Sequence, residues 1–361
     1  WEELNLETHN LACLGDPITE DEVRDAINQM TGDKAPGPDG FTGLFFKKCW
    51  STIKVDVMRV VSSFANLRTT SLHWLNTANV VLLPKKEGAE DISDYRPISL
   101  IHAIAKIIAK ILAIRLAPHM HKLISNAQSA FIKTRSIHDN FMYVRNLARR
   151  LHLRKTPSLL FKLDIRKAFD SVKWEYILDL LQRLGFPPMF RNWIAALLCS
   201  SSWRILLNGV PSKPIPHGRG FRQGDPVSPL LFVIAMDPLH KILDLASRKG
   251  LFHKICGRGV AVKNSLYADD AAVFMAPIKK DIHNLATILH LFGNVTGLVT
   301  NFQKSSVVPI RCGQLNLTCI LQALPASRAS FPMKYLGVPV SYSTLRNLHW
   351  NFADERSLNC Y

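Results

Sequence analysis

The run Ser265 to Met275, SLYADDAAVFM, is apolar on both sides of two adjacent carboxylates, Asp269 and Asp270. Alternation around the pair predicts two short strands, Ser265 to Ala268 and Ala271 to Met275, with the acidic residues at the bend. A second apolar run, Leu159, Leu160, Phe161, Leu163 and Ile165, reads as a buried strand carrying Asp164 near its end. Helical spacing predicts a helix over Ile18 to Met30, with Thr19 as cap and Glu22 three places on. Further helices are expected over Leu44 to Asn66, over Ile101 to Leu116, and from a cap at Ser171 to Leu184, stopping at Gly185. Asn79 to Leu83 reads as a short strand, and Ser202 to Leu207 as a strand that turns at Asn208-Gly209 and returns through Val210 to His217. Ser228 and Pro229 fit the start of a helix that Pro238 kinks or restarts. Between these elements, DKAPGPDGFTG and EGAEDISDYRPISL, the latter containing Arg96, read as loops. Gly220 and Gly224 bracket Arg222 and Gln223, leaving the backbone there open to a substrate.

Neighbouring side chains of a strand point to opposite faces, so Asp269 and Asp270 approach one point only if the backbone turns between them. By themselves the two residues fit a solvated hairpin turn as well as a metal site. Asp164 supplies the third carboxylate. Mg²⁺ takes oxygen ligands, typically one or two carboxylates plus substrate phosphates, and two such ions activate an attacking hydroxyl and stabilise a leaving oxygen. Phosphoryl or nucleotidyl transfer is the chemistry implied.

Charge and length narrow the partners. The chain has 361 residues and 45 Lys plus Arg against 28 Asp plus Glu, a formal charge of +17 that favours a polyanion, with nucleic acid first. Lys133, Arg135, Arg145, Arg149, Arg150, Arg154 and Lys155 are interleaved with Phe131, Phe141 and Tyr143, which suits backbone tracking and base stacking. His102, Lys106 and Lys110 share one helical face that is either solvated or phosphate-facing. Seven cysteines without CxxC spacing indicate reduced thiols, with no disulfide framework and no zinc site. No apolar run reaches 18 residues and no basic leader opens the sequence, so the reading is a soluble intracellular protein, or a piece of one, without a membrane partner.

Eight strings occur in order: DKAPGPDGF, DYRPISL, NAQSAFIKTRSIHDN, LDIRKAFDSVKW, RGFRQGDPVSPLLFVIAMDPL, YADD, TGLVTNFQKS and KYLGVPV. Together they resemble the reverse transcriptase domain of LINE-type non-LTR retrotransposons, of the kind abundant in plant genomes. The resemblance covers Thr19 to Val340. It implies an α+β right-hand polymerase, with an antiparallel palm sheet backed by helices (mainly 158–340), fingers mainly from 19–157, and a degenerate or truncated start of a thumb over 341–361. It implies RNA-directed DNA polymerisation from deoxynucleoside triphosphates on an RNA template and DNA primer, with two Mg²⁺ ions, or Mn²⁺ as substitute. Nuclear residence follows from the mode of life of such elements.

By the same resemblance, Asp164 and Asp269 match the principal metal ligands and Asp270 their assistant. Phe169 matches the aromatic that excludes a ribose 2′-hydroxyl. Gln223 matches a residue beside the incoming nucleotide, Arg96 the finger arginine facing the triphosphate, and Lys304 a lysine near the leaving phosphates. Lys85 and Lys86 are further candidates for the finger role. Thr134 and Phe221 depart from the family's usual glycine and leucine. A reading of another class is a catalytically inactive nucleic-acid-binding remnant of such an element.

Overall fold

The structure, a computed structural model, describes residues 2–4, 6–32, 34–68, 72–255 and 262–342. It is α+β and divides into two compact units. The first takes the described residues of Trp1–Asn5, Ile124–Ala168 and Val233–Tyr361, the second those of Leu6–Leu123 and Phe169–Phe232.

The first unit is built on a five-stranded sheet in the order Ser327–Arg328, Ser306–Ile310, Ser158–Leu163, Asp270–Met275, Lys263–Tyr267. All pairings are antiparallel except that of the short edge strand Ser327–Arg328. The middle strand is covered on both faces, which is why Leu159, Leu160, Phe161 and Leu163 form a continuous apolar run. On one face Leu160, Phe274 and Val308 pack with Val144, Ala148 and Leu151 of the helix Ile137–Leu153, and with Met333, Tyr335 and Val340 of a small hairpin. Each such side chain buried contributes about 1.5–3 kcal/mol.

In the second unit Thr77–Pro84 pairs antiparallel with Tyr95–Ile101 and parallel with Ser202–Leu207. The last strand turns at Asn208-Gly209, where φ is 52° and 81°, into Val210–Pro211. Both central residues of this two-residue loop are left-handed, as the Asn-Gly signal predicts. The helix Ala103–Leu116 buries residues all round, including Ile107, Ile108, Ile111 and Leu112, as a central core helix does.

Several expectations are corrected. Leu44 to Asn66 is two helices, Gly43–Lys48 and Trp50–Ala65, with a bend at Cys49. Phe45 and Phe46 are held in a ring cluster with Phe41, while Val57, Val61 and Phe64 bury a separate face of the second helix. Residues 95–101, read as loop, form a strand. Its Pro97 lies opposite Leu82 on the sheet edge, where a residue without an N–H is tolerated. Ser171 ends a single turn, Ala168–Ser171, and the helix beyond it starts at Trp174 with Lys173 as N-cap. Pro238 sits inside the continuous helix Ser228–Arg248.

The N-terminal helix Glu20–Asn28 carries the expected capping box, Thr19 and Glu22 bonding reciprocally. Glu22 also receives two bonds from Arg115, at 2.6 and 2.7 Å, while the same guanidinium donates to the carbonyls of Leu14, Asp16 and Pro17. Removing one partner of a mostly buried ion pair strands the other charge and costs about 3–5 kcal/mol. Arg115→Ala is therefore expected to lower unfolding free energy by that order in a urea titration. Arg115→Lys should recover only part of it, because an ammonium cannot reproduce the planar fork.

Candidate active site

The first unit brings the three carboxylates to one end of its sheet. Leu163 pairs with Ala271 and Tyr267 with Asp270, so Asp164, the residue after the middle strand, stands beside the tip of the neighbouring hairpin. The hairpin loop is Ala268-Asp269, with Ala268 at φ 52°. Asp270 is thus the first residue of its strand, and the two acids differ in role: Asp269 projects from the loop while Asp270 belongs to the ladder. Lys162 reaches Asp270 at 3.8 Å and also donates to the Lys334 carbonyl.

The surrounding electrostatics favour a cation. Loss of hydration raises the Asp269 pKa most, and the charges of Asp270 and Asp164 raise it further. Asp270 is raised by the same loss of hydration and by Asp164, against the opposing pull of Lys162. Among the described residues no three His, Cys, Asp or Glu side chains form a ready-made metal cage. The donor set fits a divalent ion whose remaining positions are filled by substrate phosphates and water, the usual manner of Mg²⁺.

The backbone at Asp164 is fixed by the chain around Lys304. Asn301 N–H donates to the Asp164 carbonyl at 2.7 Å, and Asp164 N–H donates to Ser305 Oγ at 3.1 Å. Lys304 lies between these two anchors and is exposed. The fold therefore brings Lys304 to the carboxylate end of the sheet.

Arg96, Phe169 and Gln223 belong to the second unit. Phe169 stacks on Phe232 with centroids 4.5 Å apart, and its carbonyl accepts from Phe221 N–H. Gly220, at φ 78°, lies so close to Asp170 that a Cβ would sit 2.5 Å from its carbonyl carbon. This glycine is required by an internal contact, and no substrate need be invoked for it. Arg222, next to the half-buried Gln223, forms a buried pair with Asp225 at 2.9 Å and donates to the Asn76 carbonyl. Arg96 is exposed on its strand, opposite Leu83, and Lys86 pairs with Asp94 at 2.9 Å.

The glycine-proline loop of the second unit also packs inward. Gly37 lies directly on the Ile101 backbone, where a Cβ would collide. Asp39 accepts from the N–H of Ala103, the first residue of the core helix, and contacts His102 at 3.4 Å. Burial opposes ionisation of Asp39, yet the His102 contact and the backbone donors outweigh it and hold the carboxyl below its usual range. Beside the loop is a cavity of about 500 Å³ whose lining includes Phe41, Ser99, Gly224 and three lysines, Lys34, Lys106 and Lys110. Burial lowers the Lys106 pKa, Lys34 adds to the effect, and Asp39 opposes it.

The sequence profile described as reverse transcriptase (RNA-dependent DNA polymerase) matches residues 83–340. The chain belongs to the reverse transcriptase family. It is 32% identical over 337 residues to the transposon TX1 uncharacterized 149 kDa protein of Xenopus laevis, covering 91% of this chain and 25% of that one. It is 29% identical over 341 residues to the Pol polyprotein from the type-2 retrotransposable element R2DM of Drosophila melanogaster, covering 91% and 31%. A mobile-element jockey RNA-directed DNA polymerase from the same fly is 24% identical over 260 residues, or 71% and 27%. The chain thus spans about a quarter to a third of the length of these relatives. The non-LTR resemblance of the motifs agrees with the kinds of element that these relatives come from. Reverse transcriptases act on nucleic acid and nucleotides with divalent metal ions, and no helix among the described residues is long and apolar enough to cross a membrane.

Three residues of this reverse transcriptase domain that sequence reasoning passed over position the acidic hairpin. Gln128 is fully buried. Its Oε1 accepts from Ala268 N–H and Ala130 N–H, and its Nε2 donates to the Ala268 carbonyl, which clamps the residue before Asp269. Asn140 donates to the Leu266 carbonyl and Ser265 Oγ. Asp237, on the helix Ser228–Arg248, accepts from Ser125 N–H and Oγ and so anchors the segment leading to Gln128. Only Asp237 carried a signal, a charged residue embedded in the apolar run around AMDPL, whereas NAQSAF and HDN hold several polar residues with nothing to single out Gln128 or Asn140.

Two outcomes follow from this geometry. Gln128→Ala leaves the Ala130 N–H and both backbone groups of Ala268 without their side-chain partner, so it should lower unfolding free energy by about 1–3 kcal/mol and depress nucleotide addition by disordering the hairpin tip. Asp270→Asn removes one of the charges that raise Asp269, so Asp269 should titrate lower in carboxyl-detected NMR. It should stay above its unfolded value, since desolvation is the larger cause. For stability the sign is fixed by linkage: a carboxyl raised in the fold supports folding below its unfolded pKa, and that support is lost as pH rises through the folded pKa. The metal-free chain should therefore lose stability across that window, and Asp270→Asn should shrink the loss.

Proposed function

We propose that this chain is the polymerising module of a non-LTR retrotransposon protein, adding deoxynucleotides to a primer 3′-hydroxyl on an RNA template. The observation that carries the reading is the convergence of Asp164 with the Asp269-Asp270 hairpin, each of the pair raised by Asp164. Carboxylates so arranged lower their mutual repulsion by sharing cations. Two Mg²⁺ ions bound there would supply the Lewis acidity that lowers the hydroxyl's pKa and neutralises the leaving pyrophosphate. Asp164 and Asp269 hold the principal positions and Asp270 assists, its charge partly offset by Lys162. Lys304 sits where a cation can meet phosphate oxygens at the carboxylate end of the sheet.

The right-hand description accommodates both units. The carboxylate-bearing unit is the palm, and the unit with Arg96 and the lysine-lined cavity is mainly fingers. The helix Ile137–Leu153 falls in the same unit as the carboxylates, and the proposed palm remains mainly 158–340 with fingers mainly 19–157. The proposed domain spans 19–340. The thumb expectation concerns residues that lie, from 343 onward, outside the described set. Phe169, braced by Phe232, is a fixed wall suited to excluding a 2′-hydroxyl. By the same reading Arg96 serves the triphosphate and Gln223 the nascent pair, and Lys106 and Lys110, which line the cavity of the second unit, are available to phosphate. Nuclear residence follows from the need to reach chromosomal target DNA.

Primer extension with Mg²⁺ on an RNA template tests the reading. Asp164→Asn or Asp269→Asn should reduce nucleotide addition by roughly 10²-fold or more, the scale seen when a group stabilising developing charge is lost, with binding and melting retained. Asp270→Asn should cost less. Full activity in either principal variant, or equal losses for the adjacent pair, would remove the assignment. Phe169→Val should raise ribonucleotide relative to deoxynucleotide incorporation, and an unchanged ratio would make the ring a packing residue only.

A further inference from the structure

The opposite end of the palm-like sheet carries a cationic surface that the chemistry of the carboxylates does not use. Asp164 follows one end of the strand Ser158–Leu163, and Ser158 at the other end pairs with Ile310. Six strand residues separate the ends, about 20 Å. Arg311 follows Ile310 directly and lines an open cavity of about 570 Å³ with Pro157, Gln314 and Leu315. The helix Ile137–Leu153 ends at the same place, its C-cap Arg154 leading through Lys155 into Ser158.

That helix and its cap carry four arginines, at 145, 149, 150 and 154, with Lys155 next, and a single acid, Asp139, at the far end. Arg145, Arg149 and His152 are spaced four and three apart and so share one face. Arg311 extends this row, donating to the His152 carbonyl at 3.2 Å and meeting His152 Nε2 at 3.1 Å. Tyr342 lies flat on the His152 ring, with centroids 3.8 Å apart and planes 11° apart, and is itself 38% exposed. A helix C-terminus attracts cations, which accounts for Arg150 and Arg154. It does not account for Arg145 and Arg149, whose like charges at i,i+4 disfavour the helix that carries them. None of Arg145, Arg149 and Arg311 has a carboxylate partner among the described residues.

We propose that this row is a second, non-catalytic contact for single-stranded RNA, with phosphates on Arg145, Arg149 and Arg311 and a base against Tyr342. The choice of RNA rests on the polymerase reading; the choice of a polyanion rests on the surface alone. Arginines without a carboxylate partner beside an exposed aromatic are the arrangement that tracks a flexible strand, since every base offers a π-face and every nucleotide a phosphate. At about 20 Å from the carboxylates, the site engages a part of the strand several nucleotides from the reacting end.

Fluorescence anisotropy with a labelled 25-nucleotide RNA tests this, using the full 361-residue chain. Arg145→Gln/Arg149→Gln/Arg311→Gln should weaken binding about tenfold or more near physiological salt and reduce the slope of log affinity against log salt by about 2, at roughly 0.7 per phosphate. The matching Lys substitutions should keep most of both. Tyr342→Ala should weaken binding without changing the slope. A control that neutralises Lys48, Lys122 and Lys213, exposed elsewhere, should lose far less. Equal loss in that control, an unchanged triple variant, or displacement of the RNA by polyglutamate more readily than by unlabelled RNA would overturn the proposal. Single-stranded DNA of the same sequence competing as well as RNA would overturn the assignment to RNA. Binding is read without divalent metal or nucleotide, so a lost RNA contact here is distinguished from a failure of the polymerase reading, which primer extension tests.

Discussion

Everything at the candidate active site depends on the register between Ser158–Leu163 and Asp270–Met275. Pairing Leu163 with Ala271 sets Asp164 beside a hairpin whose loop presents Asp269. A slip of one residue would turn the apolar set of either strand to the wrong face, so burial of Leu160, Phe161, Val273 and Phe274 fixes the acids as surely as it fixes the core. The carboxylates repel one another, and the apolar packing beneath them supplies the free energy that holds them together. Gln128, Asn140 and Ser305 complete the arrangement by binding backbone groups next to the acids, without touching the carboxylates themselves.

A division of labour between the units follows. The first unit concentrates negative charge at one end of a sheet whose middle strand is buried, and positive charge at the other. The second offers half-buried cations beside an apolar cavity, and a phenylalanine whose position is set by ring stacking and by the backbone of Phe221. Its glycines serve the fold first: Gly37 and Gly220 allow chain crossings that any side chain would block.

Much of this was legible in the sequence where local pattern and tertiary role agree. The acidic hairpin, the Asp164 strand, the Thr19-Glu22 capping box and the Asn208-Gly209 turn each carry their own signal in consecutive residues. Legibility failed where a partner distant in sequence decides the outcome. Residues 95–101 become a strand because Thr77–Pro84 offers an edge, which DYRPISL by itself does not reveal. The bend at Cys49 interrupts an acceptable helical pattern for the sake of an aromatic cluster. Gly220, read as leaving the backbone open to a substrate, answers to Asp170, and Gly37, read as part of a loop, answers to Ile101, each a partner distant in sequence. Gln128 looked like one polar residue among several, and only its complete burial and its bonds to Ala268 show that it clamps the acidic hairpin turn.

The central claim, that Asp164 and the hairpin acids form one divalent-cation site, is tested most directly by iron-directed backbone cleavage. Fe²⁺ replaces Mg²⁺ at carboxylate sites, and with ascorbate and peroxide it cuts the chain within reach of the bound ion. The account predicts two clusters of cuts, one around Asp164 and one across Ala268 to Asp270, suppressed by excess Mg²⁺ and lost together in Asp164→Asn. Cuts at only one of these segments, or cuts that survive that substitution, would contradict it.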